Sequence, residues 1–163
     1  ITSEVFKNSI KVRQAIAQSI VEIPSELKKD YESLLTDTSY VTIETALYNL
    51  WTNFPEERSV YLEETKHVIG MPNKNVRLLW LTLSLVTPDY AAEEKKAHLK
   101  ELVAYTSPVY NYEIRMQAFS FLDNLKIVND DVLKHYKEAE QHHNWRLKKF
   151  AQAFAQRNKE NEK

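Results

Sequence analysis

Cysteine is absent from this chain, and glycine occurs once, at Gly70. The first absence excludes disulfides, thiol nucleophiles and cysteine-based zinc sites. It leaves the compartment open, because cytosolic and exported proteins can both lack cysteine. The second bears on fold class. A β-sandwich or barrel of this length needs many turn positions with positive φ, and glycine is their usual occupant. With one glycine in 163 residues, the expected fold is all-α, its helices joined by short Pro, Asn and Asp loops. No apolar run approaches the roughly 18 to 20 residues of a membrane span. An excess of one charge is also lacking: 22 basic residues stand against 23 acidic ones. That balance gives no electrostatic reason to expect nucleic acid or an anionic membrane as partner.

Apolar residues make up 43% of the chain and charged residues 28%, enough for a core in one helical domain over residues 1–163. The chain opens at Ile1 in what reads as a helix already in progress. The expectation is a C-terminal fragment of a larger protein, with a frayed tail from about residue 156.

Five segments align with one another: "KVRQAIAQSI" from Lys11, "YVTIETALYNL" from Tyr40, "NVRLLWLTLSL" from Asn75, "EIRMQAFSFL" from Glu113 and "NWRLKKFAQAF" from Asn144. Their anchors Val12, Val41, Val76, Ile114 and Trp145 are 29, 35, 38 and 31 residues apart. Recurrence in this range marks stacked helical hairpins. The intervening segments are more polar. "PSELKKDYESLL" puts Leu27, Tyr31, Leu34 and Leu35 on one stripe, and "PEERSVYLEETKHVIG" does the same with Tyr61, Thr65, Val68 and Ile69. Asp89, Ser107 and Asn129 are the expected N-caps of later helices. The pattern predicts a HEAT/armadillo-like αα-superhelix, a solenoid of about nine helices in antiparallel pairs. Inner helices would be apolar nearly all round, and outer ones would keep a wet face.

Four of the five copies place arginine after the anchor: Arg13, Arg77, Arg115 and Arg146. Thr42 stands at that point in the second. These are read as structural arginines, with packed stems and guanidiniums on loop carbonyls or carboxylates. A row of ligand-binding guanidiniums on a concave face is the other reading. The first helix is expected from about Ser3 to Val21. Phe6, Ile10, Ala17 and Val21 cluster on one edge of it, which reads as a docking surface for an upstream domain.

Groups for chemistry are sparse. None of the histidines, His67, His98, His135, His142 and His143, is paired at the four-residue spacing of a zinc helix. Glu94 with His98, and Glu138 with His142, supply half a site each. The sequence has no nucleophile elbow, no P-loop and no dinucleotide fingerprint. Residues 144–163 carry six Lys or Arg against two Glu, a mild basic excess and no nucleic-acid signature. Tyr110 and Tyr112 sit in a loop or first turn, where core packing is the first reading and a contact surface the second. No catalytic residue, cofactor or metal site is assigned.

Three strings go beyond a generic repeat: "NVRLLWLTLSLVTPDY", "YTSPVYNYEIRMQAFSFL" and "HHNWRLKKFA". In this order and spacing they resemble the helical C-terminal region of bacterial zinc aminopeptidases of the gluzincin class, the aminopeptidase N-like family. "TSYVTIETALYNL" with "YLEETKHVIG" looks like the preceding repeat of that region. The resemblance implies a non-catalytic helical-repeat domain that packs against an upstream catalytic domain and helps to enclose a peptide-binding chamber. Zinc would belong to the parent's catalytic domain, and peptide substrate is a further expected partner. The family's H-E-x-x-H and G-x-M-E-N motifs do not occur here, so none of its catalytic residues carries over. The alternative is a stand-alone HEAT-repeat adaptor that binds a protein or peptide on its concave face.

Overall fold

The computed structural model describes residues 3–161, and every regular element in them is helical. Nine α-helices are joined by loops and by four short 3-10 segments, with no strand among the described residues. The all-α expectation holds. The chain, read above as one domain, divides into two compact units, residues 1–91 and 92–163.

The first unit begins with a 3-10 turn, Ser3–Lys7, followed by α1, Ile10–Ser19. A single helix from Ser3 to Val21 was expected, so this is a correction. The break falls at Asn8 and Ser9, where the Asn8 carboxamide accepts from the Ser9 N–H and the Asn8 carbonyl accepts from Arg13 Nη1. A side chain that hydrogen-bonds neighbouring backbone competes with the helix ladder. Then come α2, Lys28–Glu32, a 3-10 turn Ser33–Thr36, and α3, Tyr40–Asn53, capped by Ser39 Oγ on the Thr42 N–H. Pro55 starts the turn into α4, Arg58–Thr65, and α5 follows at Asn75–Val86.

Helix α3 is the centre of this unit. Both α1 and α5 pack along it, while α2, the Ser33–Thr36 turn and α4 cover another face. Ile43, Ala46, Leu47 and Leu50 are buried there. Asn49 is buried among them, and its Nδ2 donates to the Ala17 carbonyl at 3.1 Å, the Ile20 carbonyl at 3.2 Å and the Tyr31 hydroxyl at 2.8 Å. The Tyr31 hydroxyl in turn donates to the Ala17 carbonyl at 2.8 Å. One helical turn on, Asn53 donates to the Val21 carbonyl and accepts from the Ile23 N–H. Two asparagines four residues apart thus close the end of α1, whose last carbonyls have no partner within the helix. Burial raises the pKa of the Tyr31 hydroxyl, and the Asn49 bond partly offsets that rise.

Gly70 has φ +81°, and a Cβ there would lie 2.4 Å from Asn75 Oδ1 and 3.0 Å from the Val76 nitrogen. Glycine is required at this place both for φ and for space. The loop it shapes lets the Ile69 carbonyl accept from the Arg77 N–H at 3.0 Å, capping the start of α5. The helix before it ends at Thr65, five residues short of the glycine. In α5, Val76, Leu78, Leu79, Trp80, Leu81, Leu83 and Ser84 are all buried, in line with its nearly all-apolar sequence.

The second unit comprises α6, Ala92–Ala104, α7, Tyr112–Asn124, α8, Asp130–Ala139, and α9, Trp145–Asn161. Helix α7 packs against α6 and α9, and α9 against α8. At the core, the Tyr136 ring stacks on Phe154 at 3.6 Å between centroids and on Phe119 at 4.0 Å. Asn129 caps α8 as expected, accepting from the Val132 N–H. Ser107 does not cap α7; Asn111 does, four residues later, accepting from the Ile114 N–H. Nor does α6 begin at Asp89, since its first residue is Ala92. The fray expected from residue 156 is helical backbone as far as Asn161; residues 162 and 163 lie outside the described residues.

Helix α7 ends in a Schellman arrangement. The Ile127 N–H reaches the Leu122 carbonyl at 2.9 Å, and the Lys126 N–H reaches the Asp123 carbonyl at 3.0 Å. The left-handed position is held by Lys126, φ 58°, and not by glycine.

Two stability outcomes follow from these helix ends. Asn49→Leu leaves the carbonyls of Ala17 and Ile20 to share the one Tyr31 hydroxyl proton and should lower the unfolding free energy by about 1–3 kcal/mol. An unchanged urea midpoint would show that these carbonyls find other donors. Lys126→Gly relieves a left-handed side chain and should raise the midpoint by the equivalent of about 0.5–1 kcal/mol. A drop on that substitution would contradict the strain argument.

Candidate functional site

The arginines of the repeat have different fates. Arg115, in α7, is fully buried. Its Nε donates to the Thr106 carbonyl at 2.9 Å, and its Nη2 bonds the Glu138 carboxylate and lies 3.5 Å from the His135 carbonyl. Nη1 is buried without a hydrogen-bond partner among the described residues. Arg77 is half-buried over the Trp80 ring, 4.6 Å from its centroid, and donates to the Lys66 carbonyl at 3.1 Å. Arg13 joins the carboxylate of Asp37. Burial alone would push the Asp37 carboxyl up, but Arg13 and the N–H groups of Ser39 and Thr38 more than offset this, leaving it below the ordinary carboxylate range. Arg146 departs from the structural reading. It is exposed, its guanidinium 5.6 Å over the ring of its neighbour Trp145, which is itself 61% exposed. Thr42, where the second copy lacks arginine, is buried with its hydroxyl unpartnered among the described residues.

The edge formed by Phe6, Ile10, Ala17 and Val21 is not a continuous exposed surface. Phe6 is buried edge-on against Tyr31, 6.2 Å between centroids, and Ala17 lies under α3, whose Asn49 reaches its carbonyl. Ile10 and Val21 remain exposed.

Within the second unit a groove of about 590 Å³ runs between α6, the loop after it and the start of α8. Leu99 and Val103 line it on α6, with Tyr110 on the loop and His135 on α8. Tyr110 rests 4.9 Å from the Tyr105 ring. Lys96 and Lys100, one turn apart on α6, line the same groove and are exposed. Asp131 also lines it.

His135 is fixed by a chain of polar contacts. Thr106 Oγ1 donates to the Val103 carbonyl at 2.6 Å and stands 2.7 Å from His135 Nδ1. Two oxygens that close repel unless a proton lies between them, so the single hydroxyl proton is committed to Val103. His135 Nδ1 then carries the donated proton and Nε2 is left as an acceptor. Burial lowers the pKa of His135, and the neighbouring Arg115 lowers it further.

The remaining histidines are dispersed. His142 and His143 stack at 4.2 Å, and His142 Nδ1 accepts from the Asn144 N–H. Burial and then His143 lower the pKa of His142. His67 lines a separate hollow of about 670 Å³ in the first unit, with Asp37, Glu64 and Met71. Among the described residues no group of three or more His, Asp or Glu is placed to hold a metal ion. Tyr112 is partly exposed and donates to Glu113.

Sequence reasoning passed over Asn49, Asn53 and Thr106. The first two carried a signal, since asparagines at i and i+4 inside the apolar stretch "TALYNLWTN" need hydrogen-bond partners wherever the helix packs. Thr106 carried none. No family model, curated protein or solved structure matches the chain.

Arg115→Ala should therefore be among the most destabilising single changes, by on the order of 1–3 kcal/mol, because it strands the Thr106 carbonyl. Arg146→Ala should stay within about 0.5 kcal/mol of the parent. Denaturant midpoints of the two variants check the contrast, and equal effects would contradict it.

Proposed function

We propose that this chain is a non-catalytic helical-repeat module that packs against an upstream catalytic domain of the same polypeptide. Its helices would stack as a HEAT-like superhelix and help to enclose a peptide-binding chamber, as the likeness to zinc aminopeptidases implies. Any zinc would sit in that upstream domain. The observation that carries the reading is the uncovered strip of α3. Val41, Thr45, Tyr48 and Thr52 fall within about 60° of one another at 100° per residue. Val41 and Tyr48 are 42% and 52% exposed, although α3 is the helix against which α1, α2, α4 and α5 all pack. Apolar and aromatic side chains on the open face of a central helix suit contact with another polypeptide surface.

A second support is the use of the polar groups. Asn49, Tyr31, Arg77, Arg115 and Thr106 all serve backbone carbonyls of the fold. Side chains engaged in this way support the packing and are poorly placed to act on a substrate. The stand-alone adaptor would use the same strip, and the upstream reading frame separates the two. An H-E-x-x-H helix several hundred residues before Ile1 favours the docked module.

The direct test is Val41→Glu with Tyr48→Glu in the full-length protein. Surface changes of this kind should leave helix content and unfolding midpoint nearly unchanged. Limited proteolysis at the junction before Ile1 should become faster as the module undocks. Unchanged proteolysis, or a reading frame without catalytic motifs, would overturn the docked reading.

A further inference from the structure

The geometry points to a second, separate site: we propose that the groove between α6 and α8 binds an acidic polypeptide segment carrying one apolar anchor side chain. The anchor would rest on Leu99 and Val103, and its flanking carboxylates would meet Lys96, Lys100 and His135.

Charge complementarity identifies the occupant. Lys96 and Lys100 are four residues apart on one helix face, a like-charge arrangement that disfavours an isolated helix. Both are exposed, and neither makes an ion pair among the described residues. An anion placed between them relieves the repulsion. The floor beneath is apolar, so a purely charged ligand leaves it wet, whereas a segment with one leucine-sized side chain covers it. Asp131 faces the same groove and opposes binding, but the two lysines outweigh it.

His135 makes the binding pH-dependent. The groups around it are Arg115 from α7, Asp131, Lys134 and Glu138 from its own helix, Thr106 before α7, and the two lysines across the groove. With Nδ1 donating to Thr106, a neutral His135 offers a ligand carboxylate only the lone pair of Nε2, which repels it. The protonated ring offers a donor and a charge. A carboxylate therefore prefers protonated His135, and by linkage its binding raises the histidine pKa. Affinity is full below the pKa of the free protein and is lost as pH rises from there through the pKa of the complex, by about tenfold in all for each unit of ligand-induced shift.

The test uses the complete chain and a fluorescein-tagged peptide, one leucine between two pairs of glutamates, blocked at both ends. Anisotropy should show saturable binding at pH 5.5, about tenfold weaker at pH 7.5. Lys96→Gln with Lys100→Gln should weaken it at least about tenfold. His135→Gln, whose carboxamide can still donate to Thr106, should bind with little pH dependence. If that variant fails to fold, the His135 ring-proton titration of the parent gives the same information, moving to higher pH when peptide is added. Equal binding of a glutamine-for-glutamate peptide, or of a peptide with serine for leucine, overturns the proposal. So does equal binding of an oligonucleotide of the same charge, which would mark a generic basic surface. An unshifted His135 titration at saturating peptide removes the histidine from the site.

Discussion

Every helix ends with carbonyls that lack a partner within the helix, and with one glycine in the chain the left-handed cap that commonly closes such an end falls to Lys126 at α7. The rest of the structure depends on how the other ends are satisfied. At several of them donors come from side chains of later helices. Asn49 and Tyr31 serve α1, Arg58 donates to the Trp51 carbonyl of α3, and Trp80 Nε1 reaches the Leu62 carbonyl of α4. Arg77 takes the Lys66 carbonyl just beyond α4, and Arg115 takes Thr106 just beyond α6. Two of the repeat arginines, Arg77 and Arg115, are therefore one instance of a wider arrangement, in which tryptophan, tyrosine and asparagine do the same work.

The same arrangement prepares the groove of the second unit. Arg115 holds the Thr106 carbonyl, which fixes the chain where Thr106 meets His135. The hydroxyl then sets which imidazole nitrogen carries the proton. Thus a residue buried for packing reasons determines the chemical face that a surface histidine presents, two contacts away. Structural and recognition roles are not alternatives for Arg115; the first produces the conditions for the second.

Much of this was legible in the sequence. One glycine and alternating helix polarity were enough for an all-α chain, and "NVRLLWLTLSL" is buried nearly all round. Asn129 was readable as a cap because its signal is local. Asp89 and Ser107 misled because several residues in each loop could cap equally well, and tertiary packing chose where the helix begins. Phe6 misled for a different reason. Its apolar spacing suited an unbroken helix, and the polar competition at Asn8 and Ser9 was too slight to reveal the break. The fate of Arg146 was not legible either. Its motif matches that of Arg115, but no carbonyl or carboxylate of another helix is brought to it among the described residues.

Closing helix ends with distant side chains has a consequence for how the chain comes apart. The Asn49 bond to Ala17 spans 32 positions, and the Trp80 bond to Leu62 spans 18. A glycine-capped helix frays at its end without disturbing its neighbours. Here an end of α1 cannot fray unless α3 withdraws, and an end of α4 cannot fray unless α5 does. Local opening and loss of packing become one event, so amides at these helix ends exchange with solvent through concerted opening of the unit and not through independent fraying. The scarcity of glycine, at first a clue to fold class, thereby becomes a source of cooperativity.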